Sequence, residues 1–205
     1  MAVRRLWSFY RSHGLGSTLA RCVEAMRRLS HGGRMILFAC TLPTAPATQP
    51  MGLSVERTSA SSLPRAEYLE AFGAQNRAAR EQELAARFAA GSELWLARWE
   101  GRLAAYGWTI RGSTVKPHFF PIQPDEVHFF DFFVAPDFRG RGINVALMME
   151  VLAQLSEQQI RRVHLECAAW NAAQLRSLNK TVFRRNGAAS MVSLFGRSLV
   201  IWHHR

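Results

Sequence analysis

Residues 139–144, Arg-Gly-Arg-Gly-Ile-Asn, put two glycines and two arginines into six positions. An apolar, aromatic-rich run, His128–Val134, precedes them and ends in a Pro136-Asp137 turn. After them Val145, Met148, Val151, Leu152 and Leu155 recur at helical spacing. The segment reads as strand, basic glycine loop, helix. Backbone N–H groups at a helix start, reinforced by the helix dipole, can hold an anionic phosphate group. Glycine lets the main chain approach such a ligand, and arginine raises the local positive potential. The plain alternative is a strand-to-helix connection with solvated arginines, since short glycine loops also arise without a ligand.

A second set of residues follows: Asn171-Ala-Ala-Gln174, then Lys180-Thr-Val182-Phe183. Together the two segments resemble the GNAT N-acetyltransferase superfamily. Its acyl-CoA-binding signature is Arg/Gln-x-x-Gly-x-Gly/Ala between the fourth strand and the next helix. Arg139 and Gly142 match it, whereas Asn144 stands where Gly or Ala is preferred. Many members then carry Asn-x-x-Ser/Ala, a Lys and Gly-Phe. Asn171, Lys180 and Phe183 fit this pattern; Gln174 and Val182 do not. The two motifs come in the family's order and at its usual separation. The resemblance covers roughly residues 52–205.

The resemblance implies an α+β fold: a mixed, mostly antiparallel six- to seven-stranded sheet flanked by helices. It implies acetyl-CoA or another acyl-CoA as cosubstrate, an amine-bearing small molecule or peptide as acceptor, and no metal. The fourth and fifth strands splay in this family, and the freed main chain of the fourth pairs with the pantetheine arm and the acyl carbonyl. By position that role falls on Phe132, Phe133 and Val134. The pyrophosphate would rest on the N–H groups of Arg139, Gly140, Arg141, Gly142, Ile143 and Asn144. Asn171 would bond the cofactor's amide-bearing arm, and it can also cap the helix that starts at Ala172. Lys180 and Arg184 could meet the 3′-phosphate.

Amine acylation also needs a base. His128 falls where the histone-acetyltransferase branch places its glutamate, and an imidazole suits proton abstraction near neutral pH. The alternative is a histidine packed among aromatics without a chemical role. Asp131 is the rival base, or else the ion-pair partner of an arginine, and Glu166 is a third candidate. Strict strand alternation puts Val127, Phe129, Asp131 and Phe133 on one face, with His128, Phe130, Phe132 and Val134 on the other. Many relatives supply a tyrosine to the leaving thiolate seven residues after the Asn; here that residue is Leu178. No histidine is locally placed to activate Cys167, and the mechanism that the resemblance implies is direct transfer, which argues against a covalent nucleophile.

At 205 residues and 48% apolar, the chain is long and hydrophobic enough for one core. Its formal charge is +11, and only two of its 26 basic residues, Lys116 and Lys180, are lysine. Such a field attracts CoA, nucleic acid or anionic membrane without choosing among them. Cys22, Cys40 and Cys167 have neither metal-ligand nor redox spacing, so no disulfide framework is expected and a cytoplasmic location is. No apolar run reaches spanning length.

Residues 1–50 read as a basic N-terminal extension, and residues 51–205 as the acyltransferase domain. In the extension, Leu15 to Leu29 keep helical spacing, Arg34–Leu42 forms a short strand, and residues 41–50 are a proline-rich linker. Contact of residues 1–34 with anionic membrane or nucleic acid is a third reading of the chain. A non-catalytic CoA-binding module is the second. Downstream, a strand at Gly52–Thr58, helices at Leu63–Phe72 and Asn76–Ala90, and a hairpin about Glu100-Gly101 are expected. A strand Val127–Val134 and a helix over about 143–158 follow, then a strand Val163–Cys167 and a helix Ala172–Arg184. Ser190–Phe195 and Ser198–Trp202 close the chain. The aromatic, proline-containing loop Lys116–Gln123 hints at an acidic or partly apolar acceptor.

Overall fold

A computed structural model describes residues 33–43, 50–72, 77–114, 118–194 and 197–203. The basic helix expected within residues 1–32, and most of the linker, lie outside the described residues. In chain order the elements are β1 (Met35–Thr41), β2 (Leu53–Thr58), α1 (Arg65–Phe72), α2 (Arg77–Ala89), β3 (Glu93–Trp99), β4 (Arg102–Arg111), β5 (Glu126–Val134), α3 (Ile143–Ser156), β6 (Arg162–Ala168), α4 (Ala172–Leu178), β7 (Arg184–Leu194) and β8 (Arg197–Trp202). The strands form one sheet in the order β2-β3-β4-β5-β6-β1-β7-β8. Neighbours are antiparallel except β5 and β6, which run parallel. Among the described residues no helix is long and apolar enough to cross a membrane.

Alternation along the strands produces a core on each face of the sheet. Leu94 and Leu96 of β3, with Leu103, Tyr106 and Trp108 of β4, pack on Tyr68 and Leu69 of α1 and Leu84 of α2. Trp95 and Ala97 point the other way, into the cluster that contains Leu147, Met148, Val151 and Leu152 of α3. Trp95 is fully buried and its indole N–H donates to the Thr109 hydroxyl at 3.0 Å, so no polar atom is stranded there.

Among the described residues the sheet has eight strands rather than six or seven, and the strand read as part of the N-terminal extension lies in its interior. β1 pairs with β6 on one side and β7 on the other. Its apolar run, Met35 to Cys40, suits a strand covered on both faces, and Leu37 is 2% exposed.

Two boundaries differ from expectation. The helix expected to reach Arg184 stops at Leu178, and β7 begins at Arg184 rather than at Ser190. The Thr181 hydroxyl ends the helix: it donates to the Leu178 carbonyl at 2.7 Å and accepts from the Phe183 N–H. Such a side chain offers the backbone an alternative to further helical turns.

Alternation also fails in β5. Tyr106 pairs with Phe133 and Trp108 with Phe130, so β5 carries an extra residue there. Asp131 takes a left-handed conformation, φ 51°, as the residue of a bulge can. Before the bulge Phe129 faces the α3 side and Phe130 the α1–α2 side. After it Phe132 stacks on Phe129, with ring centres 5.0 Å apart, and Phe133 stacks on Tyr106. Phe133 therefore shares a face with Phe130, contrary to strict alternation. Phe132 lies over Gly107, where only a glycine leaves room for the ring.

Candidate functional site

β5 and β6 pair only from Glu126/Arg162 to Phe129/Leu165, and then they diverge. Beyond Phe129 the β6-facing edge of β5 has no strand partner among the described residues. A gap of about 180 Å³ opens between them, lined by Phe130, Asp131, Phe132, Glu166, Cys167 and Asn171 among others. It lies beside a larger cleft of about 670 Å³, within the size range of small-molecule sites. Phe132, Phe133, Val134, Arg139, Gly140, Gly142, Ile143, Asn144, Asn171 and Lys180 all line the larger cleft.

The loop before α3 presents its backbone outward. Gly140 and Gly142 have φ of 81° and 78°, and a Cβ on either would meet nothing within 4 Å. Glycine is needed there for the left-handed backbone, and the space in front stays open. The N–H groups of Gly140, Arg141, Gly142, Ile143 and Asn144 donate to no group among the described residues. Free donors at a helix start are the kind of group that can hold an anion.

The loop's side chains divide by role. Arg139 lines the cleft and its Nε donates to the Val134 carbonyl at 3.2 Å. Arg141 lies 5.7 Å from the Trp99 ring centre and is not part of the cleft wall. Asn144, where the family prefers a smaller residue, donates to Gln174 at 3.2 Å and to Ser177 at 3.0 Å. It ties α3 to α4 across the cleft. Asn171 caps α4, its Oδ1 accepting from the Gln174 N–H at 3.1 Å. Arg176 and Lys180 add two cations to Arg139 at the cleft, and none of the three forms an ion pair among the described residues. Arg176 was not singled out in the sequence, although its distance from Lys180 suits one helical turn. Arg184 is not among the cleft residues.

The structure does not bring the two suggested bases together. Asp131 is held by Arg87 at 2.6 Å, with the Tyr106 hydroxyl at 3.4 Å. Burial, with the Asp131 charge beside it, pushes the Tyr106 phenol well above its usual value, so it stays protonated. His128 lies deeper, 5% exposed, and its Nε2 is 2.7 Å from Glu166 Oε2. An ionised carboxylate only accepts, so Nε2 carries the hydrogen in that pair. Glu166 reaches the gap; His128 stands behind it. Among the described residues Glu166 has no arginine or lysine within ion-pair range. The pairing of residues 38 positions apart is invisible in the sequence.

The loop after β4 roofs this region. The His118 ring centre lies 4.8 Å from that of His128, and Phe120 lies 5.0 Å from His164. Burial lowers the pKa of His118 and of His164. Leu178, at the family's tyrosine position, is fully buried and holds no acid. Burial pushes the Cys167 thiol up to about 12, which leaves it a poor nucleophile.

A mixed sheet that splays next to a glycine loop at a helix start defines the class of fold. The family model described as Acetyltransferase (GNAT) family matches residues 59–180. The chain belongs to the GNAT acetyltransferase family. Among solved structures it is similar to a GCN5-related N-acetyltransferase from Sphaerobacter thermophilus, with 18% identity and TM-score 0.53 over 81% of this chain and 54% of that one. It is also similar to a GNAT-family acetyltransferase from Colwellia psychrerythraea, with 14% identity and TM-score 0.55 over 75% and 53%. A tandem GNAT protein from the clavulanic acid biosynthesis pathway gives 16% and 0.53 over 75% and 50%. The chain thus spans about half the length of these relatives, and at such identities the likeness is one of fold. No curated protein matches the chain.

Proposed function

We propose that the chain is an acyl-CoA-dependent N-acyltransferase in which an acceptor amine attacks the thioester directly. The observation that carries this reading is the set of free N–H groups at Gly140, Gly142, Ile143 and Asn144, in the wall of a cleft with three cations that are unpaired among the described residues. That cradle suits a diphosphate, and Arg139, Arg176 and Lys180 suit its charge. The unpaired edge of β5 at Phe132–Val134 offers main-chain donors to the acyl oxygen; losing one such donor typically costs about 3 kcal/mol.

As the amine nitrogen bonds to the carbonyl carbon, Glu166 takes the amine proton, held in place by its bond from His128. The carbon–sulfur bond then breaks and the thiolate is protonated by solvent, since Leu178 has nothing to donate. Asp131, engaged by Arg87 and beside Tyr106, shapes the acceptor side instead. The acceptor is an amine-bearing small molecule or peptide.

Two measurements test this. Calorimetry should show one acetyl-CoA bound per chain; no uptake of any CoA species ends the reading. Thiol release across an amine panel between pH 6 and 9 should then fall about 10²- to 10⁴-fold in Glu166→Gln, and much less in Asp131→Asn. The fully buried Leu178 favours a second reading, a CoA-binding module without catalysis. Binding without thiol release for any amine would establish that instead.

A further inference from the structure

His118, His128 and Glu166 come together from three separate stretches of chain: the loop after β4, β5 and β6. One donor atom from each lies within 4.8 Å of the other two. We propose that these residues form a site for a zinc-class divalent cation. Two imidazoles and one carboxylate make a donor set suited to such an ion, with a fourth position left for water. Magnesium and calcium prefer all-oxygen shells and fit poorly.

A second observation points the same way. His118 Nε2 is buried and makes no hydrogen bond. Buried nitrogen atoms are rarely left so. That nitrogen belongs to the cluster, where the cation would take the place of the proton that His128 Nε2 shares with Glu166. Bond lengths near 2.0–2.1 Å put tetrahedral donors about 3.3 Å apart, so the cluster closes with shifts of roughly 1 Å. His118 sits on the loop after β4, whereas His128 and Glu166 lie on strands β5 and β6.

The cation also bears on the proposed reaction, and this part rests on the acyltransferase reading. It would occupy the Glu166 carboxylate and the His128 ring together, so zinc inhibits transfer instead of assisting it.

The test uses the full, tag-free chain, freed of metal by dialysis against a chelator. Calorimetric titration with zinc chloride should show one saturable equivalent, and magnesium chloride no heat. His118→Ala and the near-isosteric Glu166→Gln should each weaken zinc by about 10- to 100-fold or more, with metal-free thermal midpoints reporting that both fold. Zinc should inhibit acetyl-CoA turnover of the native chain at concentrations that leave His118→Ala active. Absence of one-to-one uptake overturns the site. So does unchanged affinity in both folded variants, which would assign the metal to other histidines or cysteines. A chain that binds zinc as described yet transfers no acyl group supports the site and removes the acyltransferase reading.

Discussion

Replacing Gly107 by alanine tests how the bulge in β5 is held. A Cβ at this position would lie 2.4, 2.6 and 2.7 Å from three carbon atoms of the Phe132 ring. Carbon atoms settle about 3.5–4.0 Å apart, so the ring must retreat by roughly 1 Å. It cannot do so freely, because it stacks on Phe129 at 5.0 Å and forms part of the cleft wall. Overpacking of this kind costs about 1–3 kcal/mol. Alanine in place of a strand glycine recovers about 0.5–1 kcal/mol. The net expectation is a loss of about 1–2 kcal/mol, or roughly 2–8 °C in Tm for a chain of this size. Thermal and urea unfolding measure it. The same substitution in a Phe132→Leu background should cost less, with a coupling of about 1 kcal/mol. A Gly107→Ala chain as stable as the native one, or strictly additive effects, would refute the steric argument.

Leu37→Ala should cost about 2–5 kcal/mol by urea unfolding, because β1 is paired on both sides; a loss under about 1 kcal/mol would mean β1 is peripheral. Asn171→Ala should lose about 1 kcal/mol with the cap of α4, and Asn171→Asp should retain most of it. Arg98 bonds both oxygens of Glu67, at 2.7 and 2.8 Å, and holds that carboxyl below its usual value. A folded pKa below the unfolded one gives stability that is present above the unfolded value and lost as pH falls through the folded one. Arg98→Gln should therefore flatten the loss of stability below about pH 4.5. An unchanged acid-side slope would show that the pair is screened.

Much of the site was legible because its parts are local. The loop 139–144 carries its own glycines, basic residues and adjoining helix pattern within a few positions, and Asn171 announces a helix start. The hairpin about Glu100-Gly101 was equally plain, with residues at φ 50° and 80° at its turn. What failed was non-local. The extra residue in β5 depends on pairing with β4, so Phe133 was assigned to the wrong face. The helix from Ala172 was drawn too long because Thr181 ends it through a hydroxyl bond that apolar spacing does not record.

Local order along the chain determined the glycine loop before α3, because such a loop needs only backbone conformation and the start of a helix. It could not determine that β1 enters the middle of the sheet, that β5 and β6 part after Phe129, or that His118, His128 and Glu166 converge. Those outcomes depend on which distant strands pair and where that pairing stops. Adjacent residues determine a backbone conformation, but packing decides which side chains share a volume.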